Sequence, residues 1–122
     1  MNHGGRILDH IHLLAQLFAA RCTDRSTLDE LSAVAANREK WKSAHELFQK
    51  IRAKTLKAEG RRDSVMTAQY LFEEACAKTL YNLSYSSAPF DADSPYWIVP
   101  TALALAEKLG VPPAEITSRI AV

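Results

Sequence analysis

Trp41, Ala44, Phe48, Ile51, Thr55 and Ala58 recur at alternating three- and four-residue intervals. An α-helix, with 3.6 residues per turn, gathers such a series onto one face. Leu47 sits beside that face, and Arg38, Lys42, Lys50, Lys54, Lys57 and Arg61 form a charged stripe away from it, with Glu46 inside the stripe. A helix with one apolar side must find other elements to cover it, so this stretch commits the chain to layered packing. Glu46 and Lys50 stand in the favourable i,i+4 order, and Gly60 is the expected stop.

The covering elements read as helices too. Ile7, Ile11, Leu14, Phe18 and Cys22, widened by Leu8 and Leu17, predict a first helix over about Arg6 to Cys22. Ser26 reads as the N-cap of a second, about Thr27 to Ala36, which buries Leu28, Leu31 and Val34. Asp29 and Glu30 lie near its positive end. Asn37 breaks or bends the chain there. Asp63 or Ser64 caps a further helix to about Leu83, with apolar positions Val65, Ala68, Phe72, Ala75, Cys76, Thr79, Leu80 and Leu83. Met66, Tyr70 and Tyr81 widen its stripe, as in a central helix touched on two sides.

Pro100 to Leu109 is helical and Gly110 ends it; Pro112 or Pro113 starts a last helix to about Ile120. Val99 is pushed toward extended geometry by Pro100, so either a turn ends before it or the helix kinks at the proline. No strand-like alternation and no internal repeat occurs. The expected fold class is all-α: a compact single-domain bundle of about five to six helices over residues 1–122, with an irregular segment at about 84–99.

At 122 residues the chain has the length of one domain, and one of that size buries roughly two-thirds of its unfolded surface. The formal charge of +1 gives no overall pull toward nucleic acid or membrane. Its distribution is uneven: nine basic residues against three acidic ones between Arg38 and Arg62 make that segment +6. No stretch approaches the ~20 apolar residues of a membrane span. Asp9, His10, His12 and Gln16 interrupt the N-terminal apolar run, unlike a signal-peptide core. Cys22 and Cys76 belong to no CxxC and fit buried free thiols of a reducing compartment. The expected location is cytoplasmic, with no membrane contact.

Catalytic and metal-binding patterns are weak. Asp9 and His12 share a helical face but make only two ligands, and His10 lies elsewhere around it. Asp91-Ala92-Asp93-Ser94 opens like an acidic metal loop. Tyr96 and Ala102 then stand where an EF-hand needs glycine and glutamate. Glu73 and Glu74 are adjacent and diverge on a helix, so they make no facing acid/base pair. No GxSxG, P-loop or dinucleotide fingerprint is present. The expectation is no metal, no cofactor and no enzymatic activity.

Two surfaces stand out for binding. The irregular segment concentrates Phe90, Asp91, Asp93, Tyr96 and Trp97, and aromatic residues dominate binding hot spots. These five are the candidate partner-binding residues. The stripe Arg38, Lys42, Lys50, Lys54, Lys57 and Arg61 is the candidate for an anionic partner. Its aromatics lie on the apolar face, so base stacking is not suggested.

Three resemblances bear on function. Arg38 and His45, with six residues between them, are similar to the Arg-x4–6-His motif of the helical HEPN ribonucleases, in which that pair acts on RNA. Leu105-Ala106-Glu107-Lys108-Leu109-Gly110-Val111, followed by Ile116, resembles the helix-turn-helix of phage-repressor-like DNA-binding domains. The second helix of that pair carries Glu115 and only Arg119 as a base, a poor charge pattern for phosphate. In size, helical class and lack of a catalytic constellation, the chain resembles small bacterial immunity proteins of contact-dependent inhibition systems. That resemblance implies a non-enzymatic antitoxin-type protein that binds one protein partner, a toxin domain. DNA binding is the alternative and HEPN-like ribonuclease activity the second.

Overall fold

The computed structural model describes residues 11, 13, 14, 16–18, 21, 24–85 and 99–119. Among them every regular element is helical and none is a strand. The helices are α1, whose described helical residues are 11, 13, 14 and 16–18, then α2 (Ser26–Ala36), α3 (Ala44–Gly60), α4 (Ser64–Tyr85), α5 (Val99–Leu109) and α6 (Pro113–Arg119). A 3-10 turn (Arg38–Ser43) joins α2 to α3. The chain is an all-α bundle, as its periodicity predicts.

α4 is the hub. It packs against α2, α3, α5 and the 3-10 turn, while α6 folds back on α5. Phe18 of α1 meets Phe72 of α4 edge-on, with ring centroids 5.2 Å apart. Ile11, Leu14, Leu31, Trp41, Ile51, Leu80, Leu105 and Ile116 complete the fully buried interior. Each large apolar side chain buried this way contributes roughly 1.5–3 kcal/mol.

The helix boundaries depend on specific polar groups. Asn37 is extended, breaks the chain after α2, and accepts a hydrogen bond from the Glu39 amide at 3.1 Å. The Trp41 indole donates to the Ala35 carbonyl at 3.2 Å, serving a carbonyl that the end of α2 leaves open. Asp63 caps α4 by accepting from the Met66 amide at 3.1 Å. Val99 opens α5, so Pro100 lies in its first turn, where a missing amide proton costs nothing.

Three local expectations are corrected. Ser26 is the first residue of α2 rather than its N-cap; Arg25 holds that position without a side-chain cap, and the Ser26 amide is met by Asp24 Oδ1. Gly60 lies within α3; the left-handed residue at that helix end is Arg62, at φ 57°. Val65 faces outward on α4, where Gln69, Glu73 and Glu74 are buried instead.

The α3 and α5 ends share one geometry. Asp63 donates to the Ala58 carbonyl and Arg62 to that of Glu59. Val111 donates to the Ala106 carbonyl and Gly110 to that of Glu107. Both are Schellman motifs, with Arg62 and Gly110 in the left-handed position.

Candidate functional site

Two regions of α4 concentrate chemistry, one facing in and one facing out.

The inner region centres on Asp24. Its Oδ1 accepts from the Ser26 amide at 3.0 Å and the Ser26 hydroxyl at 2.6 Å. Its Oδ2 accepts from the Tyr70 hydroxyl at 2.5 Å and from Lys54 Nζ at 3.2 Å. Its backbone carbonyl accepts from Gln69 Nε2 at 2.6 Å. These bonds clamp the turn before α2 to both α3 and α4. The hydrogen bonds from Ser26 and Tyr70 hold the Asp24 carboxyl far below the usual carboxylate range, and Lys54 adds to them. Burial and the Asp24 carboxylate push the Tyr70 hydroxyl up.

Glu73 lies one turn beyond Gln69 and is wholly buried. Gln69 Nε2 donates to its Oε2 at 2.7 Å. Among the described residues its Oε1 has no hydrogen-bond partner, and neither does the buried Thr27 hydroxyl. Burial pushes the Glu73 carboxyl up to about 7, although the hydrogen bond from Gln69 pulls the other way. Cys76, three residues on, is a buried free thiol raised by that burial. A buried thiol above its ordinary range is unreactive. The cluster is closed on itself, and its evident work is to hold the α2 entry against the bundle.

The outer region runs along the opposite side of α4. One groove of about 560 Å³ lies between α4 and α5, lined by Ala68, Leu71, Pro100 and Ala104, with Arg62 and Lys108 among the polar residues. A second groove, of about 450 Å³, lies between α3 and α4, lined by Phe48, Leu71 and Ala75 with Arg52, Glu74 and Lys78. Leu71, 37 % exposed, lines both and forms the ridge between them. Leu56, 54 % exposed, follows Arg52 by one turn on α3.

Among the described residues Glu74 is the single carboxylate lining these grooves, and it is already paired. Arg52 Nη1 lies 3.3 Å from its Oε1, and the Thr55 hydroxyl donates to its Oε2 at 2.6 Å. Arg62, Lys78 and Lys108 have no ion pair among the described residues. The outer side of α4 is thus an apolar strip bordered by positive charge.

Sequence reasoning did not find this surface. Arg52, Arg62, Lys78 and Lys108 come from three helices and the α3–α4 corner, and no linear pattern joins them. The available signal was the width of the α4 stripe, where Ala68, Leu71 and Ala75 mark a second apolar line.

The residues singled out from sequence fall as follows. Phe90, Asp91, Asp93, Tyr96 and Trp97 lie outside the described residues, as do Asp9, His10, His12 and Cys22. In the basic stripe, Arg38 lies over the Trp41 ring at 5.0 Å and Lys50 pairs with Glu30 at 3.1 Å. Lys54 belongs to the Asp24 clamp, Lys42 is exposed with a partner of its own, and Lys57 and Arg61 are exposed. Lys50 is therefore engaged from α2 rather than by Glu46.

His45 stacks on Tyr81 with ring centroids 4.8 Å apart, whereas Arg38 is held by Trp41. In the helix-turn-helix-like segment, Leu105, Ala106, Val111 and Ile116 are all buried. The exposed described side chains of α6 are Pro113, Ala114, Thr117 and Ser118, none of them basic.

No group of three or more His, Cys, Asp or Glu side chains that could hold a metal ion occurs among the described residues. No helix there is long and apolar enough to cross a membrane. Compared with known proteins, the chain matches no family model, no curated protein and no solved structure.

Proposed function

We propose that the chain is a non-enzymatic module that binds one protein partner through the outer side of α4. The observation that carries this reading is the pair of grooves sharing Leu71, the one against α5 mostly apolar and the one against α3 mixed, bordered by Arg52, Arg62, Lys78 and Lys108. Large apolar side chains exposed at the centre of a polar rim mark interaction surfaces. The inner polar groups support the same reading from the other side. Asp24, Gln69, Tyr70 and Lys54 spend their hydrogen bonds on each other, leaving no open pair of acid and base.

Among binding modules, the immunity or antitoxin type fits best: a small cytoplasmic bundle that neutralises a toxin domain. The positive border favours contact with an acidic face of that toxin. The test uses the tagged protein and its Leu71→Asp variant as paired baits in nuclease-treated native lysate. The expected result is one stoichiometric protein retained by the parent, lost by the variant, and toxic when expressed alone. Equal retention by both baits would contradict the assignment to this surface.

A further inference from the structure

We infer that the occupant of the α4 surface is an acidic amphipathic helix of the partner protein, an inference that rests on the reading of this surface as the binding face.

Shape argues for a helix. The two grooves run beside α4 from Ser64 to Lys78, with Leu71 midway. Fourteen residue steps at 1.5 Å make a seat about 21 Å long. A partner helix of about fifteen residues matches that length. An extended peptide gains affinity by pairing its backbone with a sheet edge, and no strand exists among the described residues. A helix satisfies its own backbone and needs only apolar contact and a charged rim.

Charge argues for acid. Arg62 and Lys108 line the groove against α5, while Arg52 and Lys78 line the groove against α3. Both edges of the seat are therefore positive. Glu74 is paired with Arg52, so those two charges offset each other and Lys78 is the cation left over on the α3 edge. A helix with Leu or Ile along one face and Glu or Asp on both flanks places carboxylates against each border. It seats its apolar side chains on either side of Leu71.

Concavity argues for protein rather than lipid. Ala68, Pro100, Ala104 and Ala75 are short side chains lining grooves, not protruding apolar residues that could enter a bilayer. The groove between α2 and α3 is a useful contrast. It mixes Glu30 and Glu46 with Lys40 and Lys50, and Lys50 is bridged to Glu30. Its charges cancel and single out no partner.

The test uses two fluorescein-labelled, lactam-constrained helical peptides with one identical leucine face. One carries Glu on both flanks and the other Lys. Fluorescence anisotropy is followed against the full chain. The Glu-flanked peptide should bind, and the Lys-flanked peptide should bind about tenfold or more weakly. The Lys78→Glu, Lys108→Glu double variant should reverse that preference. Leu71→Asp, at an exposed position, should leave the helical circular dichroism intact and weaken the Glu-flanked peptide by about tenfold or more.

Equal binding of both peptides, lost in Leu71→Asp, would overturn the acidic-helix inference and leave the binding face standing. Binding indifferent to Leu71→Asp would overturn the face itself. Self-association dependent on Leu71 in sedimentation would make a second copy the occupant. Leu71-dependent sedimentation with phosphatidylserine vesicles would make it a membrane surface. Either of these last results overturns the inference.

Discussion

Glu73 and Glu74 are neighbours on α4, yet their environments differ in kind. Glu73 points inward, with Gln69 on one oxygen and no hydrogen-bond partner among the described residues on the other. Glu74 turns toward α3, where Arg52 and Thr55 serve both oxygens. A step of about 100° around the helix separates a carboxyl kept near neutrality from one bonded to a guanidinium. The two mark the border between the sides of α4. Inward, polar groups are spent on holding the bundle together. Outward, Leu71 is exposed, and Arg62, Lys78 and Lys108 have no ion pair among the described residues. One helix thus carries the fold on one face, and on the other it presents the surface proposed above for binding.

The largest test of this division is a pH titration of stability. Glu73 has a folded-state pKa of about 7, above the ordinary value of 4.5. The unfolded chain therefore loses this proton first, between pH 4.5 and 7. Stability should fall over that window and stay low above it. The difference corresponds to about 3 kcal/mol. Glu73→Gln should remove most of this dependence and raise stability at pH 8, as read by urea unfolding. A profile flat from pH 5 to 8 would place Glu73 outside the interior.

Asp24 shifts in the opposite direction. Its carboxyl is lowered, so the stability it adds is present above the ordinary carboxylate range and is lost as pH falls below it. Asp24→Ala leaves Tyr70, Lys54 and Ser26 without their shared acceptor. It should cost about 2 kcal/mol at pH 7, measured by chemical denaturation. An unchanged midpoint would remove the clamp from the account.

A smaller effect is expected at the α3 end. Arg62 holds φ 57° without being glycine, whereas Gly110 occupies the same position after α5. Arg62→Gly should raise stability by up to about 1 kcal/mol in thermal unfolding. It also removes one cation from the outer rim, so the variant should bind an acidic helix somewhat less tightly while folding better. Smallest of all, Leu71→Asp should change stability by less than about 0.5 kcal/mol, because the side chain is already exposed. A large loss would mean that Leu71 supports the core and the outer seat is misassigned.

Much of this architecture could be read from the chain. The spacing from Ala44 to Ala58 foretold α3, although Trp41, read as part of the same helix, lies in the 3-10 turn before it; Gly110 foretold the turn after α5 and Asp63 the cap of α4. The misread points depend on distant residues. Glu73 and Glu74 read only as neighbours that diverge on a helix, and their burial comes from α2 and α3 closing over them. Ser26 looks like a cap, but it is the first residue of α2 and its amide is met by Asp24, two residues earlier. Gly60 draws attention to the end of α3, but the geometry of the corner moves the left-handed residue to Arg62. The rim of Arg52, Arg62, Lys78 and Lys108 exists only once α3, α4 and α5 lie side by side. The segment containing Phe90 and Trp97 lies outside this comparison.

Side-chain NMR during titration with the Glu-flanked helical peptide tests the central claim most directly. The Leu71 methyl groups lie on the outer ridge and the Gln69 side-chain amide lies in the inner clamp, only two residues apart in sequence. The account predicts that the Leu71 methyl signals shift in step with peptide concentration while the Gln69 amide signals hold still. Movement of the Gln69 amide with the Leu71 methyls unmoved would contradict it, placing the binding chemistry at the Asp24–Glu73 cluster.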